Sequence, residues 1–478
     1  MRHFSDFRPA ILGALIKRWP FWLGLALTLT GALSIAATLG WAGSKASPET
    51  GPSDPPSATA PSEPIGQAAE LSAVAELGRK MFFDPSLSSS GELACASCHS
   101  PAHFYGPPTE LAVQFGGPRR QSAGLRAVPT LTYLEHTPIF TIGPDKNTQD
   151  EDKPPPVTPA PDVKVAAAAK ADNSGAPFAA AEENVPQGGL DRDGRAQTFQ
   201  AQSAGPLLDP NEMDNHSAEE ILERIKRAPY AEDMKMLFGE EIFSQRLLAL
   251  DEALFALARF QLEEPSFHPY SSEYDAYLAG KAKLSDSEMR GLKLFEDPKK
   301  GNCASCHIDK PSPDGLTPPA FTDYQFEALG APRNRNIPAN ADPHFYDLGL
   351  CGPLRADYVK AAAYCGLFKT PTLRNVATRK VFFHNGVFRS LDEVMRFYVE
   401  RETRPEKWYP RRANGELDLY DDLPPEYKKN IDVADAPFDR KLGEEPALNE
   451  AEIADVIAFL NTLTDGFEPE QKRAEATP

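Results

Sequence analysis

A chain of 478 residues with a formal net charge of −19 lacks the basic footprint that a nucleic-acid role needs, and it is long enough for two or three domains. Its 46 prolines are about twice ordinary usage and point to long connections that bury nothing.

The N-terminus carries Arg2, Arg8, Lys17 and Arg18 against Asp6, and no formal charge follows until Lys45. The apolar run FWLGLALTLTGALSIAATLGWA is long enough to cross a bilayer with its positive flank on the cytoplasmic side. It also reads as a cleavable signal peptide, with Gly40-Trp41-Ala42 at the cleavage site. Residues 1–42 are therefore expected to be a signal or membrane-spanning helix, and residues 43–68 a Pro/Ser-rich disordered tether.

The pentapeptide CASCH follows as Cys95-Ala96-Ser97-Cys98-His99 and returns unchanged as Cys303-Ala304-Ser305-Cys306-His307. In Cys-x-x-Cys-His the two thiols can add across the vinyl groups of a haem, and the adjacent imidazole then reaches the iron. Zinc would need a tetrahedral set drawn from both pairs, and a redox dithiol has no need of the His. Two covalent c-type haems are the expectation, held through Cys95, Cys98, Cys303 and Cys306, with His99 and His307 on the irons. Such attachment implies an exported protein, in the periplasm or tethered to the inner membrane.

The repeat extends beyond the pentapeptide. LGRKMFFDP (77–85) precedes the first copy and RGLKLFEDP (290–298) the second, with Gly, Lys, Phe, Asp and Pro in register; a Pro-Thr-Leu follows each, at 129–131 and 371–373. Two related domains are expected, 69–265 and 266–468, with a low-complexity insertion at about 143–186 in the first and a tail at 469–478.

Both domains read as mainly helical. Ser285-x-x-Glu288, Ser390-x-x-Glu393 and Asn449-x-x-Glu452 are capping signals, and Ile453, Val456, Ile457, Leu460 and Leu463 share one face. Ser217 to Arg227 and Glu240 to Leu262 are further helices, expected to join the domains. Cys351 and Cys365, the two cysteines left over, are expected to close a disulfide.

Over about residues 70 to 467 the chain resembles the bacterial di-haem cytochrome c peroxidases, and most closely their MauG-like branch. The resemblance rests on the two pentapeptides, LGRKMFFDP, DGRAQTFQAQSAGPLLDPNEM and FKTPTLRNVA…FFHNGVFRSLDEVMRFY. It implies two cytochrome c-like domains side by side, the N-terminal haem reacting with hydrogen peroxide and the C-terminal haem transferring electrons.

By that resemblance Glu212, in Asp209-Pro210-Asn211-Glu212-Met213, handles protons over the first haem, with Gln202 as a second pocket residue. On its residues alone, Glu212 also reads as an acidic group ahead of a helix. The position fourteen after His384, a Met in ordinary members and a Tyr in the MauG-like ones, is Tyr398. Met395 lies on the same apolar stripe and is the rival ligand. The distal His of ordinary members falls at Phe115-Gly116, while His103 and His136 lie at other spacings, so the first iron is expected to have an open face.

Two departures stand out. The inter-haem Trp position holds Arg192, and the calcium ligands fall at Ala127 and at Arg379-Lys380-Val381, which leaves calcium an open question. The function implied is peroxide-driven oxidation of a partner protein through high-valent iron. The alternatives are peroxide reduction with electrons from a small cytochrome, and a non-enzymatic electron carrier.

Overall fold

The computed structural model describes residues 70–144 and 184–469, which lie within one compact unit. The N-terminal apolar run, the tether, most of the insertion and all but one residue of the tail lie outside the described residues. Among the described residues no helix is long and apolar enough to cross a membrane.

The first half contains α1 (Ala73–Phe82), α2 (Cys95–Cys98), strands β1 (Phe115–Gly116), β2 (Ser122–Ala123), β3 (Thr141–Pro144) and β4 (Asn184–Gln187), then α3 (Phe199–Leu208), α4 (Ala218–Arg227), α5 (Ala231–Phe238) and α6 (Arg246–Glu263). The second half contains α7 (Glu273–Leu278), α8 (Asp286–Glu296), β5 (Phe326–Glu327), β6 (Phe368–Lys369), α9 (Leu391–Glu400) and α10 (Glu450–Asn461). The strands form three two-stranded antiparallel ladders, β1 with β2, β3 with β4 and β5 with β6. The mainly helical expectation holds.

The sequence repeat has a packing explanation. Gly78 in α1 and Gly291 in α8 sit where helices cross: a Cβ on Gly78 would lie 1.9 Å from the Ala256 carbonyl oxygen of α6, and one on Gly291 would lie 1.9 Å from the Asp455 carbonyl oxygen of α10. Each half is thus built on one close crossing that only glycine permits. The repeat phenylalanines, Phe82 and Phe295, are buried beside these crossings in two separate apolar clusters. The repeat aspartates, Asp84 and Asp297, accept backbone amide hydrogens from Ser86 and Lys299 and turn the chain toward the pentapeptides.

Gly291→Ala is expected to lower the midpoint of urea unfolding. The helix gains about 1 kcal/mol in propensity, but forced overpacking costs about 1–3 kcal/mol or more, here against a backbone atom with little freedom to move. An unchanged midpoint would show that the crossing can relax.

The capping signals hold at Ser285–Glu288 and Asn449–Glu452, where both bonds of the capping box form. Ser390 accepts from the Glu393 amide, but the Glu393 carboxylate accepts from Arg389 N–H rather than from the cap. Cys351 and Cys365 form the expected disulfide.

Three expectations need correction. The Glu240–Leu262 helix starts only at Arg246, because Gly239 takes φ +101° and a 3₁₀ turn at Ile242–Ser244 intervenes. Neither it nor α4 is a connector: Ile221, Leu222, Ile225, Ala253 and Leu257 are buried in the first apolar cluster. The ends assigned to the insertion, 143–144 and 184–186, are paired strand, with Gly143 opposite Val185, so the stretch leaves from a hairpin ladder.

Candidate functional site

One cavity of about 470 Å³ is lined by both pentapeptides together with Gln202, Glu212, Met395, Tyr398, Arg192 and Arg379. Residues more than a hundred positions apart in sequence thus share one space. The two identical pentapeptides differ locally: Cys95–Cys98 makes a turn of α-helix, whereas Cys303–Ser305 is 3₁₀, entered from Asn302 in the left-handed region.

The histidines are held in the same way in both copies. His99 Nδ1 lies 3.1 Å from the Tyr105 carbonyl oxygen, and His307 Nδ1 lies 2.9 Å from that of Phe321. A carbonyl can only accept, so each Nδ1–H donates and leaves Nε2 with its lone pair free for a metal. Burial holds both imidazoles down to about 4, so both are neutral at physiological pH. Tyr105 and Phe321 both take φ of +53°, which turns their carbonyls onto the rings.

The Pro-Thr-Leu repeats support these same two carbonyl segments. Thr130 Oγ1 donates to Phe104 O at 2.7 Å and Thr372 Oγ1 donates to Ala320 O at 2.7 Å, in each case the residue just before the one that orients the histidine. This support is duplicated with the motif and explains why the threonine recurs.

The residues suit a covalent haem at each pentapeptide. Two thiols in neither disulfide nor ion pair and one oriented neutral imidazole face a shared cavity. Among the described residues no three His, Cys, Asp or Glu side chains converge as a metal site, which leaves the zinc alternative without support.

Glu212 sits in a tight turn that lines the cavity near Cys95 and Cys98. Asp209 O accepts from both the Glu212 and Asp214 amides, Ser89 N donates to Met213 O, and Gly117 N donates to Glu212 O at 2.8 Å. A Cβ on Gly116 would lie 2.3 Å from Asn211 O and 2.4 Å from Glu212 O. The Phe115-Gly116 strand therefore buttresses the Glu212 loop. The charge of Glu212 acts on both Cys95 and Cys98, which places it on this side of the cavity. The helix-end alternative fits less well: the cap of α4 is Ser217, and Glu219 and Glu220 already supply the acidic first turn.

Gln202, on α3, donates through Nε2 to Asp191 Oδ1 at 3.3 Å. His103 Nδ1 is 3.1 Å from Ser100 Oγ, and His136 lies beside Glu135; neither lines the cavity. At the second pentapeptide, Tyr398 and Met395 project from α9 and both line the cavity. The Tyr398 ring packs on Phe383, Phe397 and Phe438, and burial, then the nearby Cys303 and Cys306, push its phenol above the usual range. Met395 is 6% exposed and belongs to the second apolar cluster with Phe295 and Phe459.

Sequence reasoning missed the carbonyls of Tyr105 and Phe321, since a carbonyl has no letter of its own. Their signal was indirect, in the repeated threonine. It also did not anticipate that Arg379 would meet Arg192.

Residues 72–283 match the family model for di-haem cytochrome c peroxidase. The methylamine utilization protein MauG of Paracoccus denitrificans is 29% identical over 416 residues, covering 84% of this chain and 92% of that protein. The cytochrome c551 peroxidase of Nitrosomonas europaea is 27% identical over 71% of this chain and 76% of its own length. Among solved structures, the diheme peroxidase BthA of Burkholderia thailandensis superposes with a TM-score of 0.68 at 34% identity, covering 83% of this chain and 87% of that one. Such likeness removes the non-enzymatic carrier from the alternatives. With its paired pentapeptides and shared cavity, the chain belongs to the di-haem cytochrome c peroxidase family and is a peroxidase that carries two c-type haems.

Proposed function

We propose that this peroxidase uses hydrogen peroxide at the haem that Cys95, Cys98 and His99 would hold to oxidise a partner protein, and that Cys303, Cys306, His307 and Tyr398 would hold the haem that transfers the electrons. The observation that carries the reading is Tyr398 itself, a tyrosine beside Cys303 and Cys306 at the position where ordinary members of the family have a methionine.

Bound haem iron supplies the redox chemistry that reduces the O–O bond. The protein supplies the rest. Glu212 takes the proton from the near oxygen of peroxide and returns it to the departing one, so that two electrons from the partner and two protons yield two waters. Gln202, tied to Asp191, lines the same pocket and orients the oxidant. His99, fixed through Nδ1 to the Tyr105 carbonyl, would offer its Nε2 to the iron. Covalent haem attachment supports a periplasmic site for the reaction, to which the N-terminal apolar segment would direct or tether the chain.

Met395 favours a second reading, an ordinary peroxidase fed by a small cytochrome, because it lines the same cavity one helical turn from Tyr398. Steady-state assays with reduced small cytochrome c separate the two. The proposed role predicts peroxide consumption with little cytochrome oxidation, and a low-spin EPR signal from an oxygen-ligated second haem. Sustained cytochrome oxidation together with a methionine-type signal selects the second reading.

A further inference from the structure

A buried cluster of charge borders the cavity that both pentapeptides line. Arg126 Nη1 donates to Asp193 at 2.7 Å, and its Nε and Nη2 grip Asp347 at 2.6 and 2.7 Å. Arg195 takes the remaining capacity, with Nη1 2.9 Å from Asp193 and Nε 3.3 Å from Asp191. Those three carboxylates face two guanidinium groups, and the negative charge left over reaches Lys369 from Asp191 and Asp193 and Arg192 from Asp347.

Three more cations remain. Arg192 Nε donates to the Ala127 carbonyl at 3.0 Å, Lys369 Nζ donates to the Gly189 carbonyl, and Arg379 Nη2 is buried without a hydrogen-bond partner. Among the described residues none of the three forms an ion pair. All three line the cavity.

Arg379 arrives from the second half yet sits against the loop of the first pentapeptide: its Nη1 lies 1.8 Å from where a Cβ on Gly106 would be, and its charge is felt at His99. Burial, and for Arg379 the neighbouring Arg192, bring both guanidinium groups down to about 10, so they stay charged at neutral pH. Arg379 is the uncompensated point of the cluster: the charge acting on it is that of Arg192, and a buried guanidinium with an orphaned N–H beside a ligand cavity is most simply explained by an anion that the ligand brings.

We propose that Arg192, Lys369 and Arg379 form an anion cradle at the junction of the two haem sites and hold haem propionate carboxylates. Arg192 binds Ala127 O and Arg379 lies close by, so the cradle stands at the positions where a divalent cation was in question. It supplies fixed positive charge there in place of an exchangeable ion. Arg is suited to this, since its planar fork matches a carboxylate through two parallel bonds.

The test uses the holoenzyme and two variants, Arg379→Gln and Arg192→Gln, with pyridine haemochrome assay, resonance Raman spectroscopy and redox titration. Both variants are expected to retain two attached haems, because the thioether cysteines are untouched. The propionate bending band shifts, and at least one haem midpoint potential falls as a nearby positive charge is lost. Treatment of the unaltered enzyme with EGTA leaves band and potentials where they were. Unchanged bands and potentials in both variants overturn the cradle. A change on EGTA that calcium reverses overturns it in favour of a metal. If Arg379→Gln yields no holoenzyme, Arg192→Gln decides alone by the same readouts.

Discussion

Glu212→Gln is expected to lower kcat/KM for hydrogen peroxide by about 10²–10⁴-fold, the range that general acid–base groups supply. Gln keeps the shape and hydrogen-bonding reach of the side chain but cannot accept the proton. Asp209 O, Gly117 N and Ser89 N hold the surrounding turn through backbone atoms, which Gln leaves in place. The absorption and EPR spectra of both haems should therefore be unchanged, which separates lost chemistry from lost structure. Gly116→Ala offers a companion, because its Cβ would press on Asn211 O and Glu212 O and displace the loop while leaving the carboxylate chemically intact. A partial loss is expected there. Wild-type peroxide kinetics in Glu212→Gln would remove the residue from the catalytic role.

What could be seen in the sequence, and what could not, follows from the range of the interactions. The pentapeptide is local chemistry, two thiols and an imidazole on one turn, and is read directly. The flanking repeat is legible because it occurs twice. Gly78 and Gly291 recur since the same helix crossing is made twice, and Thr130 and Thr372 recur since two histidines need the same second partner. Capping residues were also visible, because a cap acts over three residues.

Helix starts and long-range meetings were not visible. The α6 boundary moved from Glu240 to Arg246 because periodicity continues through a 3₁₀ turn that only backbone geometry breaks. The insertion's ends looked like linker, as Pro144 and Pro186 are poor strand residues, yet the ladder tolerates them. Arg192 and Arg379 are separated by almost the whole second pentapeptide region, and each looked like the loss of a family feature. Together they read as one feature, a concentration of charge that the cavity must neutralise. Glu212 and Tyr398 were nameable only by resemblance, since a carboxylate near a helix and a tyrosine on an apolar stripe are ordinary in isolation.

Tyr398→Phe is the second large effect expected. The substitution removes one oxygen and keeps the ring contacts with Phe383, Phe397 and Phe438, so stability should change little. Burial raises the phenol above its usual range, which disfavours a free phenolate in this pocket; ligation to a ferric ion reverses that preference, as a bound cation does for any nearby acid. A phenolate donor favours ferric over ferrous iron, whereas a thioether raises the potential. Loss of the phenolate should therefore raise the midpoint potential of the second haem by on the order of 100 mV, a modest part of the ~0.8 V range set by axial ligands. Its low-spin EPR signal should be lost or replaced. Met395→Leu is the control, since Met395 is packed with Phe295 and Phe459 and Leu fills similar volume. If that substitution changes the low-spin signal while Tyr398→Phe does not, methionine is the ligand, and the enzyme belongs with peroxidases that draw electrons from a small cytochrome.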